Sequence, residues 1–220
     1  MTFSARAARF FVRGVTERCS RFTTGRIRTI PYAGSEVIFS YNFRFVEVKK
    51  DPDKSAFAEE KPMDISFVSG QDKFNYRVCA IILSGNKILA MHDERSPYYY
   101  LPGGRVRMGE TAEDAVIREV KEELDIHAKI VRPLWLNQSF FTEDVDRLHY
   151  HEICLYFLMD VRETNLLEKG ERFTLHEGKH THDFEWLEFE RLQEEYFYPI
   201  FIKAEIFNLP EHLMLRTEYE

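Results

Sequence analysis

The chain has 220 residues, 44% hydrophobic and 15% aromatic, with 30 Lys+Arg against 37 Asp+Glu for a formal net charge of −7. This composition describes a globular domain of ordinary size with an appendage, and it excludes broad electrostatic binding to long nucleic acid. No apolar run approaches the roughly 20 residues of a membrane-spanning helix. Cys19, Cys79 and Cys154 are odd in number, widely spaced and without C-x-x-C pairing. That argues against a disulfide framework or a Cys-rich zinc site and for a reducing, cytoplasmic setting.

Charge divides the chain. Residues 1–62 carry 12 basic and 7 acidic residues, leaving 18 and 30 for residues 63–220. The first segment is a basic N-terminal extension, dotted with Arg6, Arg9, Arg13, Arg18, Arg21, Arg26 and Arg28. Three readings stay open for it: an organellar transit peptide, a flexible basic arm, or upstream sequence ahead of a working start at Met63. Residues 35–48 alternate well enough for a strand or two, and the run that follows reads as a solvated linker.

From Met63 onward, strand and helix signals alternate. Residues 76–83 are apolar and β-branched, Ser84-Gly85-Asn86 is a turn, and residues 87–92 resume as a strand, which predicts a hairpin. Residues 98–101 form a short aromatic strand ending at Pro102-Gly103-Gly104. Thr111 can cap a helix, with Asp114 in capping-box position, and that helix runs to about Leu124. Residues 131–141 and 151–161 read as strands flanking a polar loop, and residues 184–187 as one more. Residues 192–207 read as a closing helical region that Pro199 must interrupt or begin.

The chemistry concentrates in residues 103–126, GGRVRMGETAEDAVIREVKEELDI. Helical spacing puts Glu119, Glu122 and Glu123 on one side, while Val116, Val120 and Leu124 recur as an opposing buried stripe. Massed carboxylates repel one another unless a cation sits among them, and Mg²⁺ suits hard oxygen ligands. Spacing alone equally describes a solvated acidic face. The segment, however, resembles the Nudix box, G-x5-E-x7-R-E-U-x-E-E-x-G-U with U apolar. Gly104, Glu110, Arg118, Glu119, Val120, Glu122, Glu123 and Ile126 fill eight of its nine specified positions. The departure is Asp125, where the pattern has Gly. A left-handed helix cap suits Gly there and Asp tolerates it at some cost, so the change is expected to affect local stability rather than chemistry.

The resemblance to a Nudix domain spanning residues 63–220 implies an α/β fold, an α/β/α sandwich around a mixed sheet, with the N-terminal extension poorly defined. It implies hydrolysis of a nucleoside diphosphate linked to another moiety, through metal-assisted attack of water on phosphorus. Glu119, Glu122 and Glu123 would bind the divalent metal, Mg²⁺ with Mn²⁺ able to substitute, with the main-chain carbonyl of Gly103 as a further ligand. Glu110 and Arg118 would form a supporting ion pair. The general base varies in this family; Glu123 and Glu152 are ranked equally, and Glu177 is a third candidate. Arg77, Tyr100 and Gly104 are the expected substrate contacts, with Tyr98, Tyr99 and Tyr100 placing side chains on both strand faces. Asn137 and Gln138 are further polar candidates.

Three other readings remain beside it. A non-catalytic Nudix-fold sensor would have lost its metal carboxylates, and all are present. An isomerase of isoprenoid diphosphates on the same fold would need a catalytic Cys, whereas Cys79 and Cys154 lie in apolar strand runs and read as core. His149, His151, His176, His180 and His182 match no familiar zinc spacing and no Cys joins them, so they read as pocket-shaping residues or proton donors. The expected partner is a small nucleotide-type diphosphate, with neither membrane nor long nucleic acid. A homodimer is open, since Nudix domains often pair and the aromatic C-terminal region suits either a core or a dimer face.

Overall fold

The computed structural model describes residues 62–94 and 96–219; the strand expected at 35–48 lies outside the described residues. They belong to the compact unit Ala58–Glu220. Its strands are β1 (Ser66–Ser69), β2 (Asp72–Ser84), β3 (Lys87–Asp93), β4 (Gly103–Arg105), β5 (Lys129–Thr142), β6 (His149–Asp160), β7 (Arg172–Glu177), β8 (His180–Glu188) and β9 (Met214–Tyr219). The α-helices are α1 (Ala112–Leu124), α2 (Phe189–Leu192) and α3 (Ile202–Glu205), and Leu166–Lys169 forms a 3₁₀ turn.

The strands form a mixed sheet in the order β7-β8-β3-β2-β6-β5-β9, with β1 and β4 also pairing with β2. Pairing is parallel between β2 and β6 and between β5 and β9, and antiparallel elsewhere. Strand β2 is central and apolar on both faces, as a strand covered on both sides must be. Val78, Ala80 and Ile82 join Val116, Val120 and Leu124 of α1 in one core. Cys79 and Ile81 join Trp135, Tyr156, Phe197, Phe201 and Ile206 in a second core beneath the C-terminal segment. The sheet is therefore the middle layer between α1 and the chain that follows β8.

The expected hairpin is present, with Leu83 opposite Ile88 and Ser84 opposite Lys87. Three expectations change. The aromatic strand at 98–101 makes only single bridges, Met91–Tyr100 and Tyr99–Phe197, and the regular strand begins at the glycines. The closing helical region shrinks to the one-turn helices α2 and α3, because Phe197, Phe201 and Ile202 are drawn into the core at irregular spacing with Pro199 between them. Strands β1, β7 and β9 are additional to the expected set. No helix among the described residues is long and apolar enough to cross a membrane.

Candidate active site

The loop and helix at residues 103–125 build an acidic centre around one arginine. Thr111 caps α1 by accepting from the Asp114 N–H at 3.0 Å, and Asp125 ends it in the left-handed conformation, φ 55° and ψ 37°. Val116, Val120 and Leu124 are fully buried, which turns Glu119 and Glu122 toward Arg118. The Arg118 guanidinium reaches Glu110 at 2.7 and 3.0 Å, Glu119 at 2.7 Å, Glu122 at 3.1 Å and the carbonyl of Arg105 at 3.0 Å. Glu110 also accepts the Arg107 N–H at 2.9 Å, and its carboxyl is held below the usual range chiefly by Arg118. Burial pushes the Glu119 carboxyl up by more than Arg118 holds it down, and the charge of Glu122 adds to the rise.

The two glycines make room for these carboxylates. A Cβ on Gly104 would stand 2.4 Å from the Glu119 carboxylate, so only glycine lets that side chain lie against the strand. Gly103 has φ 147°, and a Cβ there would strike the Val78 carbonyl at 2.2 Å. Its N–H donates to Glu123 Oε2 at 2.9 Å, which fixes a carboxylate that is only 6% exposed. The arrangement fits a hard divalent cation: Glu110, Glu119, Glu122 and Glu123 offer oxygens only, and their charge exceeds what Arg118 and Arg107 supply. Among the described residues no three ligand-type side chains already stand at common metal-binding spacing. Arg118 draws Glu119 and Glu122 together while Glu123 is held at Gly103, so a cation would replace part of that bonding.

Strand β4 joins this centre to the opposite face of the sheet, since Gly103 pairs with Cys79 and Arg105 with Arg77. Burial opposes the charge of Arg77 more than any one neighbour supports it, and Glu152 with Cys79, Cys154 and Tyr156 together outweigh burial and raise its pKa. Glu152 accepts from Asn75 Nδ2 at 3.2 Å. Of the expected substrate residues, Arg77 lies on this polar face. Tyr100 packs instead against the helix-side core, and Gly104 lies under Glu119. Among Tyr98, Tyr99 and Tyr100, it is Tyr98 that lies within electrostatic reach of Arg77, edge-to-face with Tyr196 and Tyr198 at 5.6 and 5.1 Å. Of the two favoured bases, Glu123 is at the acidic centre and Glu152 on the polar face; the side chain of Glu177 lies outside the described residues.

Sequence reasoning passed over Arg105 and Arg107. Arg107 lies 3.5 Å from Glu122 and 4.0 Å from Asp64, and Arg105 lies 3.5 Å from Asp64. Both line an open cavity of about 600 Å³ with Pro62, Met63, Asp64 and Ser66. Two basic residues inside the G-x5-E segment were the available signal.

A NUDIX domain family model matches residues 73–204. An ADP-ribose pyrophosphatase from Methanocaldococcus jannaschii is 39% identical over 87 residues, 38% of this chain and 49% of that protein. Putative nudix hydrolase 1 from Caenorhabditis elegans is 38% identical over 77 residues, 32% of this chain and 21% of that protein. The matches thus span about half or less of these relatives' lengths. Among solved structures, a MutT protein from Bacillus halodurans is 16% identical with a TM-score of 0.45, covering 66% of this chain and 89% of its own. The family model covers well over half of the sequence and includes the whole acidic centre, and the chain belongs to the NUDIX domain family.

Proposed function

We propose that the chain hydrolyses the pyrophosphate bond of a nucleoside diphosphate linked to another moiety. The observation that carries this reading is the seating of Glu119 on Gly104 beside Glu122 and Glu123, all braced from one side by Arg118 or Gly103. Glu119, Glu122 and Glu123, with the Gly103 carbonyl, would hold a divalent cation, Mg²⁺ or Mn²⁺. When bound, the cation neutralises phosphate charge and activates a water. Arg118 and Glu110 keep the carboxylates in place for it. Arg105 and Arg107 offer positive charge next to the carboxylates, where a diphosphate carries its negative charge. Glu123 is the better placed base, because it stands at the acidic centre, whereas Glu152 accepts from Asn75 on the opposite face of the sheet. The name of the archaeal relative, an ADP-ribose pyrophosphatase, agrees with this substrate class.

The sensor reading has less support, since a binding module has no use for a complete and braced set of four carboxylates. The test is product analysis on a panel of ADP-ribose, nucleoside diphosphate sugars, dinucleoside polyphosphates and oxidised nucleoside triphosphates. At least one member should release a nucleoside monophosphate with Mg²⁺ or Mn²⁺ and none with chelator. Binding without turnover of any member would favour the sensor.

A further inference from the structure

Among the described residues β9 is the last strand on its side of the sheet, with β5 on one flank and no strand on the other. In a parallel pair every second residue turns its N–H and C=O away from the neighbour, so the outer side of β9 presents unmatched backbone donors and acceptors. Proteins commonly blunt such an edge with lysine, proline or a bulge. The sequence of β9, MLRTEY, has neither residue, and its register with β5 runs unbroken from Trp135–Met214 to Phe140–Tyr219. Leu215 and Tyr219 are 76% and 79% exposed. Tyr219 stacks on Phe140 at 5.0 Å and ends an aromatic row that passes from strand to strand through His151, Phe74 and Phe67. A bare edge that carries exposed apolar side chains is a template for another strand.

The side chains of β9 select which strand. A second copy turned by 180° about an axis normal to the sheet lies antiparallel to the first, and opposed residues then share a face, so the axis must pass through a residue. Only an axis through Arg216 or Thr217 keeps most of the strand paired. An axis through Arg216 sets two guanidiniums against each other, which disfavours it. An axis through Thr217 sets Arg216 against Glu218 on both sides, Leu215 against Tyr219, and Thr217 against its own copy. These are the opposite-charge, apolar and Thr–Thr pairs that stabilise antiparallel strands. Both charged side chains are fixed at the edge by the rest of the unit: Arg216 donates to Glu205 at 2.5 Å, and Glu218 Oε2 accepts from Asn137 Nδ2 at 2.7 Å. Glu218 Oε1 lies 4.0 Å from Arg216 of its own strand, which leaves it open to a closer cation.

We propose that two copies of this chain pair through β9, antiparallel about an axis at Thr217, so that their sheets join into one. The inference stands apart from the hydrolase reading and does not rest on it. A contact built on six residues a side is smaller than the roughly 20–30 of a standard interface, so the dimer is weak, with a dissociation constant on the order of 10–100 µM.

The experiment is sedimentation equilibrium of the full chain, with Thr217→Lys and Thr217→Glu beside it. Thr217 is exposed, so both variants keep the fold. The intact chain should pass from monomer to dimer between about 1 and 500 µM. Each variant sets two like charges face to face at the axis and should weaken the dimer about tenfold or more. An equimolar mixture of the two sets Lys against Glu and should return association to within about threefold of the intact chain, a recovery that requires residue 217 to face its own copy. A monomer at every concentration, as when the edge is covered from within the chain, overturns the proposal. So does a dimer that both variants leave as tight, or a mixture that associates no better than either variant alone.

Discussion

Arg118 binds three carboxylates and a backbone carbonyl with one planar group, a geometry that lysine cannot reproduce. Its bond with Glu110 makes stability depend on pH. The folded-state pKa of Glu110 is lowered, so its contribution is fully present above the ordinary carboxylate value, about 4.3, and is lost as pH falls through the lowered one. Thermal melts should therefore find Glu110→Gln less stable than the intact chain at pH 7, with the gap closing below about pH 4. A gap of the same size at pH 3 would show that the ion pair is not its source. This partnership was legible beforehand because Glu110 and Arg118 are fixed positions of a recognisable motif. The partnership of Asn137 with Glu218 was not, because 81 residues separate them and no local spacing announces the contact.

Helix α1 was the most legible element, since its cap, acidic first turn and apolar stripe are all local features. Its C-terminal end carries the chain's departure from the motif. Asp125 adopts the left-handed conformation that favours glycine and offsets part of the strain through its ion pair with Lys121. Asp125→Gly should raise the melting temperature by about 2 °C and leave the hydrolytic rate within twofold. A lower melting temperature would mean that the ion pair outweighs the strain. The additional strands were hidden for a physical reason: β9, MLRTEY, is exposed at four of its six positions, so it lacks the apolar alternation that betrays a half-buried strand. The closing segment misled in the opposite way, its aromatic residues filling a core without helical periodicity.

At the scale of the whole unit, one sheet separates two kinds of chemistry. Carboxylates gather where α1 meets β4, and a polar face bearing both hydrogen-bond donors and acceptors lies on the other side, with the Gly103–Cys79 and Arg105–Arg77 pairs linking them. The acidic centre could be read from sequence because its carboxylates come from a single stretch of chain. The polar face could not, because parallel pairing of β2 with β6 and of β5 with β9 assembles it from distant segments. If the α1 carboxylates drive hydrolysis, the single-turnover rate on a substrate identified from the panel, with saturating Mg²⁺, depends on them. Glu123→Gln preserves shape and removes charge, so its rate should fall by about a hundredfold or more while nucleoside monophosphate affinity stays within twofold. A Glu123→Gln rate within threefold of the intact chain would place the chemistry elsewhere in the molecule.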